Sequence, residues 1–139
     1  MPDAVTPTPA GQHLPSWLRM STSAPPAHAT VVGGRASRTR PGLFAEWAGT
    51  LSFPDYFGHN WDALADVLTD RVQDGGLTIV VDNAEHLLRD EPPAQLTTLL
   101  ELLGDVARGD PATLCVILRA GAVEEDDLRE RVIAALSPR

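Results

Sequence analysis

Residues 53–83 read FPDYFGHNWDALADVLTDRVQDGGLTIVVDN, and the change of pattern inside this stretch decides the class of fold. Phe53-Pro54 ends whatever helix precedes it, because a proline drives the residue before it out of helical backbone. Asn60 is placed to cap a helix over about 60–72. Trp61, Leu64, Ala65 and Leu68 then recur at helical spacing as its inward stripe. Beyond it, LTIVVDN (77–83) is a run of apolar and β-branched residues. Such a run is expected of a strand covered on both faces.

Reading outward extends the alternation. Toward the N-terminus, TRPGLFAEWAGTL (39–51) places Leu43, Phe44, Trp47 and Leu51 on one helix face, with Thr39 as N-cap and Pro41 in the first turn. ATVVGGRAS (29–37) reads as a strand opening into a Gly-rich turn. Gly33-Gly34 lacks both the GxGxxG spacing and the lysine of a phosphate loop. Toward the C-terminus, AEHLL (84–88) is a short helical turn. A helix follows over about 93–108, with Leu96, Leu99, Leu100 and Leu103 on one face and Gly109 and Pro111 as its stop. TLCVILR (113–119) is a further buried strand. EEDDLRERVIAAL (124–136) closes as a helix with its acids at the favourable N-terminal end of the dipole. Strands separated by helices predict a small α/β domain with a three-stranded parallel sheet flanked by helices, over 29–139. Residues 1–28 carry six prolines among Ala, Ser and Thr and read as a largely disordered arm. Within it LPSWLRM stands apart, since Trp17 and Leu18 are able to dock on the domain as a short extended piece.

The chain has 139 residues, 43% of them hydrophobic, enough for one domain with a core. Its net charge is −8, and every basic side chain is an arginine. The acidity is concentrated in residues 44–91, which hold ten acids and two arginines. Such a field repels a nucleic-acid backbone and suits a basic protein. The one cysteine, Cys115, cannot form an intrachain disulfide and lies in an apolar run, as expected of a cytoplasmic protein. No signal peptide is expected, and no apolar stretch is long enough for a membrane span.

The chemistry concentrates on 53–70. Asp62 and Asp66 are four apart, about 40° from each other around the helix, and Asp70 continues the row, with Asp55 before it. Like charges at this spacing destabilise a helix slightly, and no arginine lies in 53–70. A solvated face is the plainest reading. Glycosidase-type acid–base chemistry needs two carboxylates across a cleft, which one exposed helix does not supply. His59, Asp62 and Asp66 have a spacing open to a hard cation, without an HExxH or CxxC motif to support it. His86 reads as a partly exposed helix residue, and His13 and His28 fall in the arm. Cys115 is too apolar in setting for a nucleophile, and no GxSxG is present. No catalytic constellation, metal site or cofactor loop is expected. What remains is a negative recognition surface, an acidic helix preceded by the aromatic loop of Tyr56 and Phe57.

Phe57, Gly58, Asn60, Asp62, Ala63, Leu64, Asp66, Leu68 and Thr69 fit nine of the thirteen positions of an aromatic-Gly-x-Asn-x-Asp-Ala-Leu-x-Asp-x-Leu-Thr segment. In this the chain resembles the barstar family, over about 29–120. The resemblance implies a cytoplasmic proteinaceous inhibitor that forms a 1:1 complex with a basic, extracellular-type ribonuclease and protects the producing cell. Nucleic acid and membrane are not expected as direct partners. It implies that Asp66 is the central acid facing the nuclease's cations and Asp62 the second. Tyr56 would be the aromatic contact, Asn60 and Thr69 flanking contacts, and Gly58 the residue that turns the loop into the helix. A further acid would come from the next long helix, Glu101 or Asp105. Ala65 stands where the family has an aromatic. Asp70 and Arg71 replace its Gly and Trp, which implies a lost aromatic contact and a gained charge pair. Two other roles fit the same fold: a regulatory or scaffolding module, and an immunity protein against a different class of toxin.

Overall fold

The computed structural model describes residues 14–137. It contains β1 (Leu18–Ser21), β2 (Thr30–Gly33), α1 (Arg40–Thr50), α2 (Trp61–Gln73), β3 (Leu77–Asp82), α3 (Pro93–Ala107), β4 (Leu114–Arg119) and α4 (Ala122–Leu136), with a single 3-10 turn at Ala84–His86. The sheet is parallel throughout, in the order β1-β4-β3-β2.

The expectation of three strands is thus corrected to four. The added strand, β1, lies in the segment read as an arm. Leu18 sits opposite Val116 and Arg19 opposite Ile117, and the Val116 N–H donates to the Trp17 carbonyl at 2.8 Å. Four residues with two apolar side chains carry too little pattern to read as a strand. The edge of β4 supplies the hydrogen bonds, and burial of Trp17 and Leu18 supplies the driving force. Residues 1–13 of the expected arm, His13 among them, lie outside the described residues.

One face of the sheet carries the core. Leu18, Val32, Ile79, Val81, Val116 and Leu118 pack there with the apolar stripes of all four helices. The opposite face presents the alternate residues, among them Val80, Cys115 and Ile117. It is covered in part by the link from β1 to β2, residues 22–29. Pro25 and Pro26 lie against Val80 and Ile117 around a cavity of about 250 Å³, and the Arg119 Nε donates to the Ser23 carbonyl at 2.7 Å. An extended chain of this length reaches roughly 30 Å, ample to cross three strand spacings of about 4.8 Å each. Prolines suit such a strap because they bring no N–H donor that would need a partner. Ile79, Val80 and Val81 are therefore all buried, helices on one side and strap on the other, which accounts for the continuous apolar run in β3.

Helix boundaries follow local chemistry. Thr39 Oγ1 accepts the Gly42 N–H at 3.1 Å, capping α1. The turn that stops α3 begins one residue before the expected glycine, at Arg108, whose φ is 54°. Gly34 is required by packing: a Cβ there would lie 2.2 Å from the Asn83 carbonyl oxygen. No helix is long and apolar enough to cross a membrane, among the described residues.

Candidate functional site

The site starts with the cap of α2. Asn60 Oδ1 accepts the Ala63 N–H at 2.8 Å, and its Nδ2 donates to the Gly58 carbonyl at 3.2 Å. The left-handed residue at this corner is His59, with φ 52°, and not Gly58. Histidine is among the side chains that tolerate this region best, and its ring lies beside Phe57 with centroids 5.0 Å apart. Gly58 matters for space, since a Cβ there would sit 3.3 Å from Asn60 Nδ2.

Phe57 anchors the loop from below. It is buried and meets Phe53 and Phe44 edge-on, at 5.0 and 6.1 Å between centroids. Tyr56, its neighbour, is 85% exposed and points its ring away from the core. Trp61 packs edge-on against Phe44 at 5.0 Å, and its Nε1 donates to Gln95 Oε1 at 3.1 Å. Leu64 and Leu68 bury the inner face of α2. At about 100° per residue, Asp66 stands nearly opposite that stripe.

Asp55, Asp62, Asp66 and Asp70 are all exposed. Among the described residues no cation pairs with any of them. The expected pair of Asp70 with Arg71 is not formed. Arg71 Nη1 instead donates to the carbonyl of Leu51, at the end of α1. The reason is position: Arg71 is half-buried on the side of α2 that faces α1, where an orphan carbonyl needs a donor. Thr69 is half-buried, and its hydroxyl donates back to the Ala65 carbonyl at 2.7 Å.

Beside this row runs a groove of about 550 Å³ between α2 and α3. Asp62, Ala65 and Thr69 line it from one side and Glu101, Leu102 and Asp105 from the other. Both candidate acids of α3 therefore share the groove with Asp62, and the small Ala65 leaves its floor open. Arg108 is the cation on its wall.

The other sequence candidates fall elsewhere. His86 Nδ1 lies 2.8 Å from Arg38 Nη1, in a depression that Glu85 and Asp127 also line. It is not brought together with His59 and the α2 acids. Among the described residues no three His, Cys, Asp or Glu side chains form a cation site. Cys115 is buried. The Gly33 N–H, where a phosphate loop would hold its anion, donates to the protein's own Glu46 Oε2 at 2.8 Å. Sequence reasoning missed that bond and the Trp61–Gln95 tie, because each joins residues far apart in the chain.

A parallel α/β domain with helices on one face, displaying a capped helix whose exposed aspartates have no cation partner among the described residues, defines the class. The family model described as Barstar (barnase inhibitor) matches residues 27–119. The chain belongs to the barstar family. The match leaves out β1 and α4. Among curated proteins none matches the chain.

Proposed function

We propose that this protein is an intracellular inhibitor that binds a basic, extracellular-type microbial ribonuclease one to one and covers its active site with α2 and the loop before it. It acts by binding and not by catalysis. The observation that carries this reading is the row of Asp62, Asp66 and Asp70, exposed and, among the described residues, without a cation partner, on a helix held by its cap and its packing. Carboxylates on a preformed helix meeting the cations of a phosphate-binding groove form charge-assisted hydrogen bonds with little backbone ordering cost on the inhibitor side. Asp66 is the central acid, Asp62 the second, and Glu101 and Asp105 add to the field from across the groove. Tyr56 supplies the apolar contact, and Asn60, Ala65 and Thr69 complete the surface.

The decisive experiment is calorimetric titration with a secreted basic ribonuclease from the same cell, alongside an RNA-cleavage assay. Stoichiometric binding with loss of cleavage is expected. Binding of equal strength when both Asp62 and Asp66 are alanine would falsify the acidic-helix mechanism. Ala65 favours a second reading of the target alone: the open floor of the groove suits a toxin with a different contact there. Capture of a basic toxin that does not cleave RNA would establish that reading.

A further inference from the structure

A second cavity, of about 320 Å³, lies between α3 and α4, apart from the acidic surface. Arg89, Glu91, Leu96, Thr97, Arg131 and Ala135 are among its walls. Helix α4, which contributes Arg131 and Ala135, lies beyond the region matched by the family.

Arg131 is half-buried. Its Nη1 donates to the Glu85 carbonyl at 3.3 Å and its Nη2 to the Leu87 carbonyl at 2.9 Å. A guanidinium has five N–H donors, so most of its capacity is left. Among the described residues no carboxylate pairs with it. Asp127, one turn earlier on α4, is engaged by Arg89 at 3.3 Å. Burial, and after it the charge of Arg89, push the Arg131 guanidinium down, against the weaker pull of Asp127. Glu91, the acid on this wall, accepts the Arg40 backbone N–H at 2.8 Å. A half-buried cation beside a second cation is costly unless something meets its charge, and this chain has acids in excess elsewhere.

We propose that the α3–α4 cavity binds a small organic monocarboxylate, its carboxylate held by Arg131 and Arg89 and its apolar body against Leu96 and Ala135. The planar fork of arginine matches a carboxylate. With Arg89 already paired to Asp127, Arg131 is the cation on this wall without a carboxylate partner among the described residues, which suits a single negative charge better than the two of a phosphate. The volume has room for on the order of ten water-sized groups, the scale of a short branched or aromatic acid. A free acid and the terminal carboxylate of a peptide share this chemistry.

Calorimetry on the full chain tests it, with benzoate as probe and benzamide and inorganic phosphate as controls. Saturable binding of benzoate alone is expected. Arg131→Gln should weaken it about tenfold or more, as for the loss of a hydrogen bond to a charged group. Ala135→Trp should abolish it by filling the cavity while both arginines are kept. Arginine Nε–H resonances provide a readout on the unmutated protein, with Arg131 shifting on titration. Asp66→Ala should bind benzoate normally, which separates this site from the inhibitory surface. A leucine-terminated tripeptide binding more tightly than benzoate assigns a chain terminus as the source, and weaker binding assigns a free acid. Equal affinity for benzamide, indifference to Arg131→Gln in a folded variant, or no saturable heat with any carboxylate overturns the proposal.

Discussion

The indole Nε1 of Trp61 donates to Gln95 Oε1 at 3.1 Å, so the first turn of α2 is tied to the first turn of α3. With the packing of α2 on α3, this bond helps to hold the aspartates of one helix beside the acids of the next. Trp61→Phe keeps the edge-on contact with Phe44 and removes only the bond. It should cost about 1 kcal/mol of stability in urea denaturation.

Asp66→Ala is expected to weaken the proposed nuclease complex by about 3 kcal/mol, because the partner's cations are left buried and unpaired. Asp62→Ala should cost less, since it stands at the margin of the row. Asp66→Ala should not lower stability, since its side chain is exposed and without a cation partner among the described residues, and Asp62→Ala should cost only about 0.5 kcal/mol through the lost helix-dipole interaction in the first turn of α2. Titration at two ionic strengths checks both points: each variant should show a shallower salt dependence than the parent.

Asn60→Ala removes the acceptor of the Ala63 N–H. A stability loss of about 1 kcal/mol is expected, and Asn60→Asp should restore most of it. Chemical denaturation of the three proteins measures this directly.

Trp17 and Gly104 are coupled. A Cβ on Gly104 would lie 3.1 Å from the Trp17 ring. Replacing a helical glycine by alanine normally gains about 1 kcal/mol, and here Gly104→Ala alone should not. Trp17→Ala should cost about 3 kcal/mol or more. In the Trp17→Ala background, Gly104→Ala should recover its normal gain. A double-mutant cycle with additive energies would contradict the contact.

Asp90 is held below its ordinary carboxylate value by the hydrogen bonds from Arg38, which approaches at 2.9 Å. A depressed acid stabilises the fold above its unfolded value. That contribution falls away as pH drops through the folded one. Asp90→Asn should therefore lower stability slightly at neutral pH, leave it nearly unchanged at the acid end, and so flatten the acid limb of the profile below about pH 4. An acid limb as steep as the parent's would show that Asp90 does not contribute.

Much of the fold was legible because its signals are local. Thr39 and Asn60 cap the helices they were expected to cap, and the Leu96, Leu99, Leu100 and Leu103 stripe is buried as its spacing requires. The acids of α2 were legible for the same reason, since their exposure follows from helical periodicity once Leu64 and Leu68 are turned inward. Gly58 was expected to turn the loop into the helix; the left-handed residue at that corner is His59, whose ring lies beside Phe57.

By itself, the sequence determined the alternation of helix and strand, the parallel sheet and the acidic helix, since period and capping act over a few residues. Only the tertiary structure decided what those elements meet. β1 becomes a strand because β4 offers it an edge, and residues 22–29 become a strap because the sheet has one face without helices. Arg71 turns to Leu51 because α1 leaves a carbonyl free beside it. Asp62, Glu101 and Asp105 come to share a groove through the packing of α2 on α3. Each of these rests on a contact between residues distant in the chain, where the gain from burial and hydrogen bonding appears only after the chain has closed.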